Sequence, residues 1–328
     1  MRSTLRAAAR CAFLVVAACL CAGMALASQP ESPIQALVSK YRRGDNQSAM
    51  AEFLAWDAAR VARQATLPAD APPADLAALA LMHTAVAVAR GTFGSGNRAP
   101  VLDKTNYPTA IALVNELSRR ENTARDPGLR AFCRDWYIVA VSLWSASRNY
   151  RQAAAVVRDG LRRFGDDPES LLAAGSTAEG LMGPYASMLA AATYTAPTSA
   201  ASVGGVATSG GYVTEDSRDA EKWLRKAVSL NPNLVEARLR LGRVLYHIDH
   251  FPQALKELEQ ALADATGSNH PFAAYLAALF LGDLLERTGQ LDEARTAYEK
   301  AIALHPEYQS AYLALGHLLV TAGKPAEG

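Results

Sequence analysis

Along residues 219–328 apolar positions recur every three or four residues, the spacing that places side chains on one face of a helix. Leu241, Val244 and Leu245 form one such stripe. Ala254, Leu258, Ala261 and Leu262 form the stripe of the helix that follows. The stripes also repeat as blocks, because Ala220 and Ala254 stand 34 residues apart, as do Ala227 and Ala261, whereas Ala254 and Ala294 stand 40 apart. A second landmark, Leu-Gly or its equivalent, gives the same numbers: Gly242 to Gly282 is 40 and Gly282 to Gly316 is 34. Two independent markers thus agree on a 34-residue period with one six-residue insertion. The six extra residues fit Asp264-Ala265-Thr266-Gly267-Ser268-Asn269, which reads as a polar turn. Gly242 and Ala254 are small enough for two helices to approach closely. Gly289, just before Gln290-Leu291-Asp292-Glu293, suits a tight turn, and Pro232 and Pro306 stand where one unit ends and the next begins.

At these residues the pattern resembles the tetratricopeptide repeat, a 34-residue helix–turn–helix. The unit Tyr275–Tyr308 matches through Leu281-Gly282, Ala294, Tyr298, Ala301 and Pro306. The unit beginning near Val235 matches through Leu241-Gly242, Phe251, Ala254 and Ala261 but lacks the closing proline. The likeness covers residues 217–328. It implies an all-α, right-handed superhelical solenoid in which the first helix of each pair lines a concave groove. The groove residues so implied are Leu239, Arg243, Tyr246, His247, Leu276, Leu279, Asp283, Glu286, Arg287, Ser310, Leu313 and His317. In the chaperone-binding branch of the family, Lys and Asn clamp a peptide carboxylate. Leu239, Leu279, Arg243 and Asp283 stand at such places here, so we expect a peptide or helix docked largely by apolar contact.

Upstream the pattern weakens. Residues 131–182 read as degenerate repeat-like helices: Trp136–Trp144, a second helix Ala154–Phe164, and Pro168–Met182 as the first helix of a further unit. Its partner is expected at Ser217–Leu230, beyond an insertion spanning 183–216. The core of that insertion, Ala196–Gly211, is small, uncharged and Gly/Ser-rich, and is expected to be a flexible loop. Residues 28–130 read as helical with degenerate repeats. Gly44-Asp45 with Ala49 and Phe53 resembles a half-unit, Asp75–Arg90 is apolar on several faces, Gly91–Tyr107 is a loop, and Pro108–Arg125 is a further helix.

The first residues differ in kind. Arg2, Arg6 and Arg10 precede an apolar stretch from Cys11 to Ala22, and Ala25-Leu26-Ala27 follows, the layout of a secretory signal peptide ending at residue 27. The stretch is short for a membrane anchor. Val16-Ala17-Ala18-Cys19 also resembles a bacterial lipobox, which would put a lipid anchor on Cys19. Either route exports the protein, to a periplasm-like space or beyond. The whole chain carries 33 basic and 32 acidic residues. Removing residues 1–27 takes away three arginines and no acids, leaving 30 against 32. That balance argues against a strongly basic nucleic-acid binder, and no apolar run after the first thirty residues is long enough to span a bilayer. Of four cysteines only Cys133 lies beyond residue 27, so internal disulfides cannot stabilise an exported form. Cys133 sits in a helical pattern and is expected to be a small buried apolar residue.

Candidate chemistry is sparse. Gly91–Arg98 has a phosphate-loop-like glycine spacing, but Asn97 stands where a lysine is required. His247 and His250, with His270 and His305 at other turns, lack a third ligand in sequence and are read as solvated turn residues. After residue 27 there is no Gly-x-Ser-x-Gly, His-Glu-x-x-His or Cys-x-x-Cys. We therefore expect no catalysis, cofactor or metal, and a scaffold binding a protein or peptide in the cell envelope. A glycan- or small-ligand-binding solenoid is one alternative. An enzyme sited between the N-terminal helices and the insertion is another. The last unit, Ser310–Thr321, has no second helix to cover Tyr312, Leu315, Leu318 and Leu319, and this apolar end is expected to promote association.

Overall fold

The computed structural model describes residues 32–62, 71–91, 103–120, 123, 125–146, 149–182 and 215–322. The proposed signal peptide, Cys19, most of the Gly91–Arg98 loop and nearly all of the 183–216 insertion lie outside them. Among the described residues there are thirteen helices and no strand, so the chain is all-α. They fall into two compact units, divided between Asn149 and Tyr150.

The first unit holds α1 (Pro33–Arg42), α2 (Asn46–Ala62), α3 (Pro73–Ala89), α4 (Asn106–Arg119) and α5 (Pro127–Ala146). Helices α1 and α2 form the expected half-unit around Gly44, whose φ of 94° closes the turn, and Ala49 and Phe53 are fully buried. Helix α3 is the core element: every residue from Leu76 to Ala87 is buried, which is why its sequence is apolar all round. Polar groups tether it to its neighbours. Asp75 Oδ1 accepts from Ser32 Oγ and Gln35 Nε2 of the α1 end, both at 2.7 Å. Trp136 Nε1 of α5 donates to Thr84 Oγ1 at 2.8 Å. His83 Nδ1 lies 2.9 Å from Asn106 Oδ1 at the start of α4. Helix α4 begins at Asn106, inside the expected loop, because Asp103 Oδ1 accepts from the Thr105 and Asn106 backbone N–H groups and caps it. Cys133 is buried as expected.

The second unit holds α6 (Tyr150–Phe164), α7 (Pro168–Leu181), α8 (Glu215–Leu230), α9 (Val235–His247), α10 (Phe251–Gly267), α11 (Pro271–Arg287), α12 (Leu291–Leu304) and α13 (Gln309–Thr321). Each helix packs on the next in sequence. In addition α7 touches α9, α9 touches α11 and α11 touches α13, so alternate helices form one continuous layer. Asp167-Pro168 starts α7: Asp167 Oδ1 accepts from Ser170 N at 2.8 Å, and Pro168 occupies the first turn.

The pairing within units is fixed by one recurring small residue. A Cβ built on Gly242 would meet Leu258 Cγ at 2.7 Å, and one on Gly282 would meet Tyr298 Cε1 at 2.4 Å. One on Gly175 would meet Leu224 Cγ at 2.5 Å, so α7 and α8 form the expected pair although 33 residues part Leu181 from Glu215. Three turns share one closure. The N–H groups of His250, His270 and Gln290 donate to the carbonyls of Leu245, Ala265 and Leu285, each at 2.9 Å. The residues just before them, Asp249, Asn269 and Gly289, have φ of 61°, 57° and 82°. This is the Schellman geometry, and Gly289 takes it with no Cβ strain.

Two expectations are corrected. The six extra residues after Ala263 do not form a polar turn. Asp264–Gly267 instead continue α10, which is 17 residues long against 14 in α12, because Ala265 is fully buried and continues the apolar stripe; only Ser268 and Asn269 of the six lie in the turn. The insertion also ends earlier than read, since Glu215 and Asp216 already form the acidic first turn of α8.

Candidate functional site: the α7–α9–α11–α13 layer

The layer of alternate helices carries the polar groups that matter most, and their spacing follows the small residue. Four positions after Gly175, Gly242, Gly282 and Gly316 stand Glu179, Tyr246, Glu286 and Val320. Helical geometry puts these on one face, one turn beyond the close contact.

At the α7 end, Glu179 has no exposed surface. Its Oε2 accepts from Arg240 Nη1 at 2.8 Å, and its Oε1 lies 3.0 Å from Arg243 Nη2. Arg240 also donates through Nε and Nη2 to Glu236 Oε1 at 2.9 and 2.8 Å. The Arg243 guanidinium sits 4.7 Å above the Phe280 ring of α11, joining α9 to the next helix by a cation–π contact. His247 lies beside this cluster. Burial, reinforced by the positive charge of Arg243, pushes its pKa down to about 4, so the imidazole is neutral at pH 7.

The middle of the layer is built by α11. Tyr246 is hydrogen-bonded to Asp283. Burial raises the Asp283 carboxyl above its ordinary value, although the Tyr246 hydroxyl partly offsets this. Burial and then the Asp283 charge raise the Tyr246 phenol. Arg287 Nη2 donates to Asp249 Oδ1 at 2.7 Å, and its guanidinium stacks 5.1 Å from the Tyr246 ring and 4.9 Å from Phe251. At the α13 end Glu286 serves two helices: its Oε2 accepts from the Tyr298 hydroxyl and its Oε1 pairs with His317 Nδ1, both at 2.9 Å.

The residues expected in the groove therefore separate into two sets. Tyr246, His247, Asp283, Glu286, Arg287 and His317 come together as one connected polar row, with Leu279 half-buried and Leu313 exposed beside it. Leu239, Arg243 and Leu276 are corrected from groove surface to interior: all three are buried, and the Arg243 guanidinium lies against the Phe280 ring of the next helix in the layer. Ser310 is half-buried at the start of α13. The mainly apolar lining expected from the leucines becomes a mainly polar one. Nor are His247 and His305 solvated turn residues. His247 is half-buried, and His305 stacks on Tyr308 at 5.0 Å between the rings. His250 and His270 are exposed as expected.

Glu179 and Arg240, the buried ion pair at the α7 end of the layer, were not legible in the sequence. The signal was present in Ala174-Gly175, the same small-residue mark as Leu241-Gly242, but the insertion hides the register. Among the described residues the face holds ion pairs and hydrogen-bonded acids. Among the described residues no group of three or more His, Cys, Asp or Glu side chains could hold a metal ion, and no helix is long and apolar enough to cross a membrane.

Residues 190–316 match the family described as a tetratricopeptide repeat-like domain. Over 111 residues, 30% of this chain and 22% of the other, the sequence is 32% identical to a Drosophila melanogaster protein named BBSome complex member BBS4 homolog. This chain thus matches about a fifth of that relative's length. Among solved structures, MamA from Desulfovibrio magneticus RS-1 aligns with a TM-score of 0.43 at 22% identity, covering 59% of this chain and 88% of that one. A tetratricopeptide protein of Thermus thermophilus aligns with a TM-score of 0.41 at 16% identity, covering 66% and 91%.

Proposed function

We propose that this chain is an exported, non-catalytic scaffold that holds a protein or peptide partner along the α9–α11–α13 face. The observation that carries the reading is the row Tyr246, Asp283, Arg287, Glu286 and His317, pre-positioned by mutual hydrogen bonds and stacking. Side chains already fixed in place lose little freedom when a partner arrives. Arg287 and His317 remain accessible, and Leu279 and Leu313 supply apolar contact beside them. This mixture suits a polypeptide with alternating apolar and charged side chains. The acids and bases of the row hold one another in structural pairs, which supports binding without chemistry. The repeat-like family match and the likeness to a protein named as a member of a complex support the same reading.

Export rests on the basic, apolar and small-residue segments of residues 1–27, with lipidation at Cys19 as the alternative route. Cell fractionation and N-terminal sequencing of the processed chain test this: a new terminus at Ser28 is expected, and a cytosolic chain retaining Met1 refutes it. Affinity capture from envelope extracts tests the scaffold. We expect a polypeptide retained by the wild type and lost with Arg287→Glu, which reverses one accessible charge and also removes its pair with Asp249 and its stacking on Tyr246 and Phe251, so helical circular dichroism of the variant must first match the wild type. Retention of glycan in place of polypeptide refutes it.

A further inference from the structure

We infer that Asp249 is a positioning residue, which holds the Arg287 guanidinium in the pose that meets an acidic side chain of the partner polypeptide. The inference rests on the proposed reading of the α9–α11–α13 face as the partner-binding face. Asp249 lies in the turn between α9 and α10, and Arg287 is the last residue of α11, in the next repeat. That turn and its flanks grip the guanidinium. The rings of Tyr246, near the end of α9, and Phe251, the first residue of α10, stand 5.1 and 4.9 Å from it. Stacking on ring faces restrains where the guanidinium sits more than how it is rotated. Asp249 Oδ1, which accepts from Nη2 at 2.7 Å, supplies the directional contact.

The backbone marks Asp249 as more than a turn residue. Its φ of 61° lies in the left-handed region, which strains a residue that carries a side chain. Gly289, at the equivalent place one unit on, reaches 82° without that cost. Both turns close alike, with His250 N–H donating to Leu245 O and Gln290 N–H to Leu285 O, so the turn itself accepts glycine. Nor does folding stability account for the aspartate. Asp249 and Arg287 each keep 38% of their side-chain surface, and ion pairs this exposed contribute little. What aspartate adds at this place is a carboxylate directed at Arg287. The charges of the row indicate what Arg287 then meets. Apart from Asp249 itself the acids are engaged: both Glu286 oxygens are taken, by the Tyr298 hydroxyl and His317, and half-buried Asp283 is hydrogen-bonded to Tyr246. Exposed Arg287 offers positive charge and a planar fork of N–H donors, which suits a carboxylate. Held in place beforehand, it loses little freedom on pairing.

The test uses the full purified chain and two short end-blocked peptides, one alternating leucine with glutamate and the other leucine with glutamine, with binding read by fluorescence anisotropy. The wild type is expected to bind the glutamate peptide about tenfold more tightly, the scale of one charge-assisted contact. Asp249→Gly and Asp249→Asn should abolish that preference while urea unfolding shows no loss of stability, since both residues tolerate a positive φ. In side-chain NMR relaxation the Arg287 Nε–H should be rigid in the wild type and mobile in both variants. A wild type without the glutamate preference overturns the inference. So does a preference that survives Asp249→Gly, an Arg287 side chain equally rigid in all three chains, or a stability loss in both variants, which would make Asp249 merely structural. The parent reading fails separately: capture of a polypeptide from extracts that is indifferent to Arg287→Glu refutes the face itself, whereas Arg287-dependent capture without a glutamate preference leaves the scaffold standing and removes only this inference.

Discussion

Gly282→Ala and Gly316→Ala make the same chemical change at the same repeat position, and the structure assigns them opposite signs. In mid-helix alanine is better than glycine by about 1 kcal/mol. At Gly316 nothing lies within 4 Å of the new methyl, so this gain is expected nearly in full. At Gly282 the methyl would stand 2.4 Å from Tyr298 Cε1 and 2.5 Å from Cδ1. Ordinary contact needs about 1 Å more, so the ring or the helix must move. The ring resists because Tyr298 is 1% exposed and its hydroxyl is held by Glu286 at 2.9 Å. Overpacking of this kind costs about 1–3 kcal/mol, which offsets or exceeds the propensity gain and leaves a net loss of up to about 2 kcal/mol. The two variants should therefore differ by about 1–3 kcal/mol in urea unfolding followed by helical circular dichroism. In a Tyr298→Ala background the penalty at Gly282 should vanish, because the clashing ring is gone. Equal stabilities for Gly282→Ala and Gly316→Ala, or a penalty that survives Tyr298→Ala, would refute the packing account.

Glu179→Ala removes the carboxylate shared by Arg240 and Arg243 and leaves two buried guanidinium groups poorly compensated. A loss of about 3–5 kcal/mol is expected in the same urea assay, and a change below about 1 kcal/mol would show the cluster to be solvated. His247 sets a pH dependence. Its folded pKa of about 4 lies below its ordinary 6.5, so its contribution is present above pH 6.5 and is lost as pH falls toward 4, where the unfolded chain takes up a proton the folded chain refuses. The stability difference between wild type and His247→Gln should therefore shrink by about 2–3 kcal/mol over that window, and a flat difference would exclude the burial of the imidazole. Cys133 is fully buried, so a thiol reagent should modify it only at the rate of unfolding; fast labelling of the native chain would contradict the packing of α5.

Elements were legible where the repeat is intact. Leu241-Gly242 and Leu281-Gly282, with Ala254, Ala261, Ala294 and Ala301, prescribe the pairing of α9 with α10 and α11 with α12, because a helix pair's packing is local in sequence. The apolar run at 75–90 likewise announced a buried helix, although not the His83–Asn106 contact that ties it to α4 across 23 residues. The extension of α10 was missed because polar residues at 264, 266 and 268 suit an exposed helix end as well as they suit a turn. Of the candidate site, positions on a helix face could be read, but whether a position on that face is covered could not.

The amino-acid sequence by itself determined the all-α class, the 34-residue unit and which residues share each helix face, since periodicity and small-residue spacing act within one or two helices. The tertiary structure alone decided that Leu239 is interior while Leu313 is bare, and that Glu179 meets Arg240 across 61 residues. The physical reason is that burial and ion pairing depend on the next helix in the stack. No local pattern in the chain records what that neighbour presents.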